Sequence, residues 1–349
     1  MNKIGLVLAF IIVLTIPVSG YFSKQESVVI TKEYGLLQTV KDRGYLICGV
    51  NAGLPGFSAA DEEGNWTGLD VDFCRAVSAA VFGDADKVEY LGLNAAQRFP
   101  TLASGSIDIL SRNTTWTISR DVNLMFEFAG VSYYDGQGFL VPTDLGITSA
   151  RGLDGAFVCI ASETTSELNL NDYFAENNMA YRPIYVEGNK DAKAKLFAGE
   201  CDVFTTDASG LASARAGAEN PDDWVVLPEI ISKEPLGPLV RQGDQEWEDV
   251  VRWTLFAMIN AEEMGITSRN VDDMLAAQSK EIKRLLGVEG YMGPMLGLGM
   301  KFGYNIIKQV GNYGESFTKH IGPGTPLNLE RGLNNLWNNG GILYVPPFR

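Results

Sequence analysis

Histidine and cysteine are scarce in this sequence of 349 residues, which contains one histidine, His320, and four cysteines. A single histidine excludes a His-rich metal site and argues against a catalytic triad built on histidine. Four cysteines are too few for a disulfide scaffold, and none of them falls in a CxxC motif, so we expect no metal and no cofactor. Basic residues are outnumbered, with 28 Lys and Arg against 43 Asp and Glu. The resulting net charge of −15 argues against a nucleic-acid partner, because phosphate backbones repel it.

Long apolar runs are absent except at the N-terminus. There Lys3 is followed by the uncharged run Ile4–Ile16 and by the small residues at 18–20. As a helix this run spans only about 20 Å, less than the roughly 30 Å of a bilayer core, so a secretory signal fits better than an anchor. We assign residues 1–20 to a signal peptide and expect a periplasmic protein without membrane insertion. No cysteine precedes Cys48, so we expect no lipid anchor.

Export to the periplasm permits disulfide bonds. Cys159 lies in an apolar run at 157–160 and Cys201 lies just before another, so the two can pair if those runs form neighbouring strands. Cys48, in the run 46–50, can likewise meet Cys74 on the first long helix. The alternative is that all four are buried free thiols that pack as small hydrophobic side chains.

Two segments share one pattern, residues 102–111 and residues 196–205. Each has a leucine, a glycine three residues later, an aspartate three further on, then two apolar residues and a hydroxyl residue. The pattern predicts a helix that ends at the glycine, a tight turn and a short strand. Two related α/β units with parallel sheets follow from it, and ligands bind such sheets beyond the carboxyl ends of their strands. Polar residues occupy that position in both units, at 113–115 and 205–207.

The rest of the chain predicts connections and helices. Residues 139–142 and 228–238 suit extended crossovers between the two units. A helical period runs over 246–263, further helical stretches are predicted near 303–319 and 326–338, and residues 342–347 look extended.

Three strings carry a family resemblance: Gly68–Ala76 (GLDVDFCRA), Phe99–Asp108 (FPTLASGSID) and Thr115–Asp121 (TWTISRD). They resemble the family 3 solute-binding proteins of ABC transporters. With further strings at 111–121, 206–210, 228–238 and 305–315, the likeness runs from about residue 35 to the C-terminus. The resemblance implies an α/β, two-lobed periplasmic binding protein fold. Each lobe would be a mainly parallel sheet flanked by helices, with a hinge between lobes and a helical C-terminal extension. The expected divisions are residues 21–140 for the first part of lobe 1, 141–235 for lobe 2, and 236–349 for the return to lobe 1 and the extension.

The resemblance also implies which residues bind ligand. The candidates are Asn113, Thr115, Arg120, Thr164, Thr165 and Asp207. For an aromatic wall our candidate is Phe57, with Trp116 as the alternative, although large aromatic side chains mostly lie in the core. An arginine fork suits the carboxylate of an amino acid, and an aspartate suits its ammonium group. From the residues alone other roles stay open. Arg120 suits a surface salt bridge, Thr164 or Thr165 a helix N-cap with Glu167, and Asp207 another N-cap.

Two further arginines, Arg98 and Arg112, lie near the expected cleft, where they either contact a ligand side chain or brace Asp207. The resemblance implies a monomeric receptor that binds L-amino acids with broad specificity and delivers them to a membrane permease, without catalysis. The alternatives are an enzyme on the same fold, such as a dehydratase of prephenate-like acids, and a sensory ligand-binding protein. An enzyme would need a general acid or base in the cleft.

Overall fold

The computed structural model describes residues 35–349, and the predicted signal peptide at 1–20 lies outside the described residues. The strands are β1 (Leu46–Asn51), β2 (Ala59–Ala60), β3 (Trp66–Thr67), β4 (Val88–Leu93), β5 (Ile109–Leu110), β6 (Phe126–Phe128), β7 (Tyr133–Asp135), β8 (Gln137–Pro142), β9 (Phe157–Ala161), β10 (Arg182–Val186), β11 (Val203–Asp207), β12 (Trp224–Val226), β13 (Glu234–Leu236) and β14 (Leu239–Arg241). The helices are α1 (Leu36–Arg43), α2 (Leu69–Phe82), α3 (Ala95–Ala103), α4 (Thr165–Glu176), α5 (Asn189–Phe197), α6 (Ala208–Ala216), α7 (Gln245–Glu263), α8 (Val271–Met274), α9 (Lys280–Leu285), α10 (Met292–Met295), α11 (Phe302–Gln309) and α12 (Tyr313–His320).

Lobe 1 is built on a five-stranded sheet in the order β4-β1-β5-β14-β6. Its first three strands are parallel, and β14 runs antiparallel to both of its neighbours. Helices α2, α7 and α11 pack against one another over this sheet. Large apolar side chains such as Trp247, Phe302 and Phe317 are fully buried there, so the C-terminal helices complete the core of lobe 1.

Lobe 2 has a second five-stranded sheet, in the order β10-β9-β11-β8-β12. Strands β9, β10 and β11 are parallel, and β8 is antiparallel to β11. Along β8, Phe139 and Val141 pack into one apolar cluster and Leu140 into another. Both faces of this strand are therefore covered, which explains why its sequence is continuously apolar.

Two extended strands connect the lobes. β7 and β13 pair antiparallel, with Asp135 opposite Glu234 and Tyr133 opposite Leu236. The expected boundary at residue 140 is wrong, as is the assignment of 139–142 to a crossover. Because β8 is a buried strand of the lobe 2 sheet, the first crossing ends at residue 136. The expected second boundary, residue 235, falls inside β13.

The C-terminal segment departs in part from the predicted helices. The stretch 303–319 forms two helices, α11 and α12, which are separated at Gly311, whose φ of 100° is unfavourable for other residues. The helix predicted over 326–338 is wrong, since that stretch holds only single turns at 332–334 and 337–339. There the Asn334 side chain accepts a hydrogen bond from Tyr134 N at 2.6 Å and donates one to Tyr134 O at 2.9 Å, which ties the segment to β7. Within residues 35–349, no helix has the length and apolar character needed to cross a membrane.

Both predicted disulfides are confirmed. Cys48 on β1 is joined to Cys74 on α2, and Cys159 on β9 is joined to Cys201 just before β11. All four sulfur atoms are engaged, so the alternative of buried free thiols does not hold.

Removing the lobe 2 disulfide should destabilise the protein substantially. A bond across a separation of 42 residues restricts the unfolded chain, and the chain-entropy relation gives a loss of about 4 kcal/mol for the Cys159→Ala/Cys201→Ala variant. Urea unfolding of the exported protein measures this loss, with wild type in reductant as the comparison. Four alkylatable thiols in native periplasmic protein would contradict the assignment.

Candidate functional site

The carboxyl ends of the parallel strands in the two sheets face each other across one cavity, here called the inner cavity. Its walls come from the residues that end or follow these strands. Lobe 1 contributes Asn51, Ala95, Arg98, Arg112, Asn113, Thr115 and Arg120, and lobe 2 contributes Ala161, Thr164, Thr165, Ser166, Gly188, Asn189, Thr206 and Asp207. Six of the seven predicted ligand-binding residues thus lie together.

Strand β13 sets the position of Thr115. Trp116 N donates to Pro235 O at 2.8 Å and Gly237 N donates to Thr114 O at 3.1 Å, so this segment continues the ladder of the connecting strands. The Thr115 hydroxyl lies 3.3 Å from the Thr165 hydroxyl of lobe 2. The lobes are therefore in direct contact beside the cavity.

Arg120 is held by its own loop. It lies in a single wide helical turn, Ser119–Asn123, and its Nη1 donates to Thr115 O at 2.8 Å. The side chain is buried, with 6% of the residue exposed, and no carboxylate among residues 35–349 pairs with it. A surface salt bridge is thus not its role. Burial lowers the pKa of Arg120, while the charges of Glu234 and Asp207 act in the opposite direction.

The N-terminus of α4 brings Thr164 and Thr165 to the other wall. Thr164 is the N-cap, and its hydroxyl accepts from Glu167 N at 3.3 Å. Glu167 in turn accepts from Glu163 N at 3.0 Å rather than from the cap residue itself, so the capping box is only partly formed. Thr165 is the first helical residue, and its hydroxyl points to the contact with Thr115. The cap and the cavity wall are therefore divided between the two threonines.

Asp207 ends β11, and its side chain makes no capping hydrogen bond to α6. Instead its Oδ2 accepts from Asn113 Nδ2 at 3.0 Å, and Asn113 Oδ1 accepts from Asn51 Nδ2 at 2.8 Å. This chain of side chains crosses the cleft and gives Asn113 a structural partner in lobe 2. Burial raises the pKa of Asp207 to about 7, with Asp135 and Glu234 adding to the shift and the Asn113 hydrogen bond opposing it.

Glu234 on β13 was not predicted as a site residue. Its Oε2 accepts from the Thr115 hydroxyl, and from the Thr165 hydroxyl at 3.1 Å. Its Oε1 accepts from Asn169 and Ser232, each at 2.7 Å. A buried carboxylate with four donors thus bridges lobe 1, lobe 2 and the connecting strand. The only signal in the sequence was its place inside the predicted crossover 228–238.

Arg98 and Arg112 both line the inner cavity. Burial, reinforced by the charges of Arg112 and Arg120, lowers the pKa of Arg98 well below its ordinary value. Burial also lowers the pKa of Arg112 to about 10, although Asp70 and Asp207 oppose that shift. The Phe99 ring lies under the guanidiniums of Arg98 and Arg120, whose central carbons are 4.6 Å and 5.3 Å from the ring centroid.

Phe57 does not belong to the site, and its prediction as an aromatic wall is wrong. The residue is 1% exposed and lies in the lobe 1 core, with its ring edge-on to Tyr133 at 5.2 Å. A fully buried aromatic ring is stabilised best by such packing. Among the described residues, the lining of the inner cavity contains alanines and polar side chains but no aromatic ring.

Comparisons with known proteins agree with one another, because the family model and the similar proteins are all described as binding proteins. The family model for bacterial extracellular solute-binding proteins, family 3, matches residues 46–269. The chain is 56% identical to the general L-amino acid-binding periplasmic protein AapJ of Rhizobium johnstonii, over 90% of this chain and 92% of that protein. It is 53% identical to the glutamate/glutamine/aspartate/asparagine-binding protein BztA of Rhodobacter capsulatus, over 90% and 93%. Among solved structures, an ABC transporter periplasmic binding protein from Brucella ovis with glutathione bound is 52% identical, with a TM-score of 0.89, covering 90% of this chain and all of that one. The chain therefore belongs to the bacterial extracellular solute-binding proteins, family 3.

Proposed function

We propose that this protein is a periplasmic receptor that captures free L-amino acids in the inner cavity and delivers them to the permease of an ABC transporter. The observation that carries the proposal is that two buried side chains, Arg120 on one lobe and Asp207 on the other, line one cavity. The binding names of the relatives AapJ and BztA support it.

The cavity suits the two charges that every amino acid shares. Arg120 and the hydroxyls of Thr115 and Thr165 would bind the α-carboxylate, because a guanidinium fork and hydroxyl donors match that anion. Asp207 would bind the ammonium group, with Asn113 orienting its carboxylate. Thr164 would act by holding the N-terminus of α4 at the cavity. A ligand held from both lobes favours their contact, since it can shift a hinge only through its affinity for that state.

Glutathione is a second candidate ligand, since the Brucella ovis relative is described with it bound. A second, outer cavity shares four lining residues with the inner cavity, namely Asn51, Arg112, Gly188 and Asn189. The γ-glutamyl end of glutathione carries a free α-amino and α-carboxyl group. The same residues could therefore bind that end while the rest of the tripeptide extends outward.

We propose binding without catalysis. The only histidine, His320, bonds Asp72 at 2.8 Å within lobe 1 and does not line the inner cavity. Asp207, the carboxyl with a raised pKa, is needed for the ammonium group, so it is not free to act as a general base on the ligand. We further propose a monomer in the periplasm, without a lipid anchor, cofactor or nucleic-acid partner. An enzyme on this fold would convert its ligand, and a sensory protein would require a signalling partner instead of a permease.

A ligand screen tests the proposal directly. Purified mature protein should be stabilised by about 2.7 kcal/mol when an amino acid is present at a hundred times its dissociation constant. Thermal unfolding with each of the twenty amino acids and glutathione measures this, and mass spectrometry of the recovered ligand should show it unchanged. Absence of any stabilisation, or a converted ligand, would contradict the proposed function.

Arg120→Ala should weaken binding of every amino acid alike, because it removes the partner of a group they all carry. Loss of a buried charge partner costs about 2–5 kcal/mol, which is roughly thirtyfold to several thousandfold in affinity. Isothermal titration with alanine, leucine, glutamine and glutamate measures it, and Arg120→Lys, which keeps the charge but not the fork, should lose less. Loss confined to glutamate would show that Arg120 reads the side chain instead.

Asp207→Asn should weaken amino-acid binding at least about tenfold, because a charge-assisted hydrogen bond becomes a neutral one. The pH dependence gives a second readout. With a pKa of about 7, Asp207 is protonated at low pH, and binding of an ammonium group requires its ionised form. Wild-type affinity should therefore rise between about pH 5 and pH 8, and this rise should flatten in the variant.

Asp135→Asn is the matched control for the loss of affinity. Because Asp135 adds to the raised pKa of Asp207, this variant should shift the rise in affinity to lower pH and should not flatten it. Asp135 is also buried, with a pKa raised to about 6, but its carboxylate is engaged by Ser209 Oγ at 2.5 Å. It should keep most of the wild-type affinity. Wild-type affinity together with an unchanged pH profile in Asp207→Asn would leave the ammonium site unassigned.

A further inference from the structure

We propose that the turn at residues 52–58 of lobe 1 and helix α6 of lobe 2 form a latch, which holds the lobes in contact outside the inner cavity. The latch raises the affinity for every ligand by the same factor, because it stabilises the joined lobes without touching a ligand. This inference rests on the proposed function and makes Ser213 of α6 a positioning residue for it.

A direct hydrogen bond between Ser213 and Pro55 joins the two lobes. The Ser213 hydroxyl donates to Pro55 O of the turn at 3.0 Å, across 158 positions of the chain. Ser213 is 5% exposed, so most of its side chain is covered at this contact. Neither residue lines the inner cavity. The bond therefore connects the lobes from a place that a ligand in the inner cavity does not reach.

Close approaches of the backbone accompany this hydrogen bond. A Cβ atom at Gly210 of α6 would lie 3.9 Å from Leu54 Cδ1 of the turn. A Cβ atom at Gly53 of the turn would lie 3.9 Å from Lys190 Cβ, at the start of α5. Both glycines thus lie at the contact between the lobes, and a bulky side chain at Gly53 would meet α5.

Lobe 1 holds the turn in a fixed position. Ser58 N donates to Leu54 O at 2.8 Å, which closes the turn. Leu69 N, at the start of α2, donates to Gly56 O at 3.0 Å. Gly56 has a φ of 88° and packs so closely on the C-terminal segment that a Cβ atom there would lie 2.7 Å from Leu327 Cδ2. A turn held in this way loses little conformational freedom when it meets lobe 2.

Helix α6 connects the latch to the ligand site. It begins directly after Asp207, the residue that we assign to the ammonium group, and it carries Ser213 further along. Its start is fixed to the connecting strand β7, where Asp135 Oδ2 accepts from the Ser209 hydroxyl at 2.5 Å. Ligand and latch therefore act on one helix, and both favour the joined lobes.

Removing the Ser213 hydroxyl tests the latch. Ser213→Ala should lower the affinity for alanine, glutamine and glutamate about two- to tenfold, the net value of a neutral hydrogen bond whose two groups are hydrated when the lobes separate. The factor should be the same for all three ligands, because apparent affinity scales with the fraction of protein in the binding-competent state. Isothermal titration measures it.

Ser78→Ala is the matched control. The Ser78 hydroxyl is also buried and also donates to a backbone oxygen, that of Asp84 at 2.7 Å, but both residues lie in lobe 1. Its removal leaves the contact between the lobes unchanged. Ser78→Ala should therefore keep the wild-type affinity for all three amino acids.

Gly53→Trp tests the same contact by obstruction. The added ring would meet α5 and hold the lobes apart, so affinity for alanine, glutamine and glutamate should fall at least about tenfold, again by a common factor. Gly53 does not line the inner cavity, so the ring is not placed against a short ligand. Thermal unfolding of the ligand-free variants checks that each of them is folded.

Wild-type affinity in Ser213→Ala or in Gly53→Trp, or an equal loss in Ser78→Ala, would overturn the latch and leave the proposed function intact. Losses that differ among the three ligands would show that the substituted residue acts on the ligand side chain, and they would also overturn it. Failure of wild type to bind any amino acid or glutathione would overturn the proposed function instead, and that result is obtained before any variant is compared.

Discussion

The arrangement of the two lobes depends on the hydrogen bonds that the Glu234 carboxylate accepts. This carboxylate lies on β13, one of the two strands that connect the lobes, and it accepts hydrogen bonds from Thr115 of lobe 1 and from Thr165 and Asn169 of lobe 2. The same strand holds the Thr115 segment in place through backbone hydrogen bonds. Thr115 and Thr165 are also the hydroxyls that we assign to the ligand carboxylate. A hydroxyl has one proton to donate, so a ligand must share or displace Glu234 at these two groups.

In the proposed binding mode, this competition would relate the hinge to the binding site. A carboxylate of the protein and a carboxylate of the ligand would use the same donors, and each hydroxyl can satisfy only one of them at a time. Arg120 adds a guanidinium fork that does not bind Glu234, because Arg120 forms no ion pair within residues 35–349. Binding would therefore gain the contacts with Arg120 and Asp207 against the loss of part of the Glu234 network. Only that difference would be available to the ligand for shifting the lobes toward contact.

Much of the fold followed from local patterns in the sequence. The repeated Leu-Gly-Asp pattern identified the ends of α3 and α5 and the starts of β5 and β11, and the parallel sheets followed from the alternation of strands and helices. These features are local, so periodicity and turn residues suffice to find them. The boundary at 140 failed because an apolar run of four residues reads the same as a crossover or as a buried strand. Only the pairing of β8 with β11 and β12 decides between them.

The candidate site also depends on long-range contacts, which local sequence patterns do not predict. Arg120, Thr115, Thr165 and Asp207 were predicted from a family motif, whereas Glu234 has no motif and gains its place from contacts with residues 65 to 119 positions away. Phe57 failed because a sequence does not show whether an aromatic ring faces a cleft or a core. Position alone placed Arg98 and Arg112 near the cleft, and their lack of partners is visible only in three dimensions.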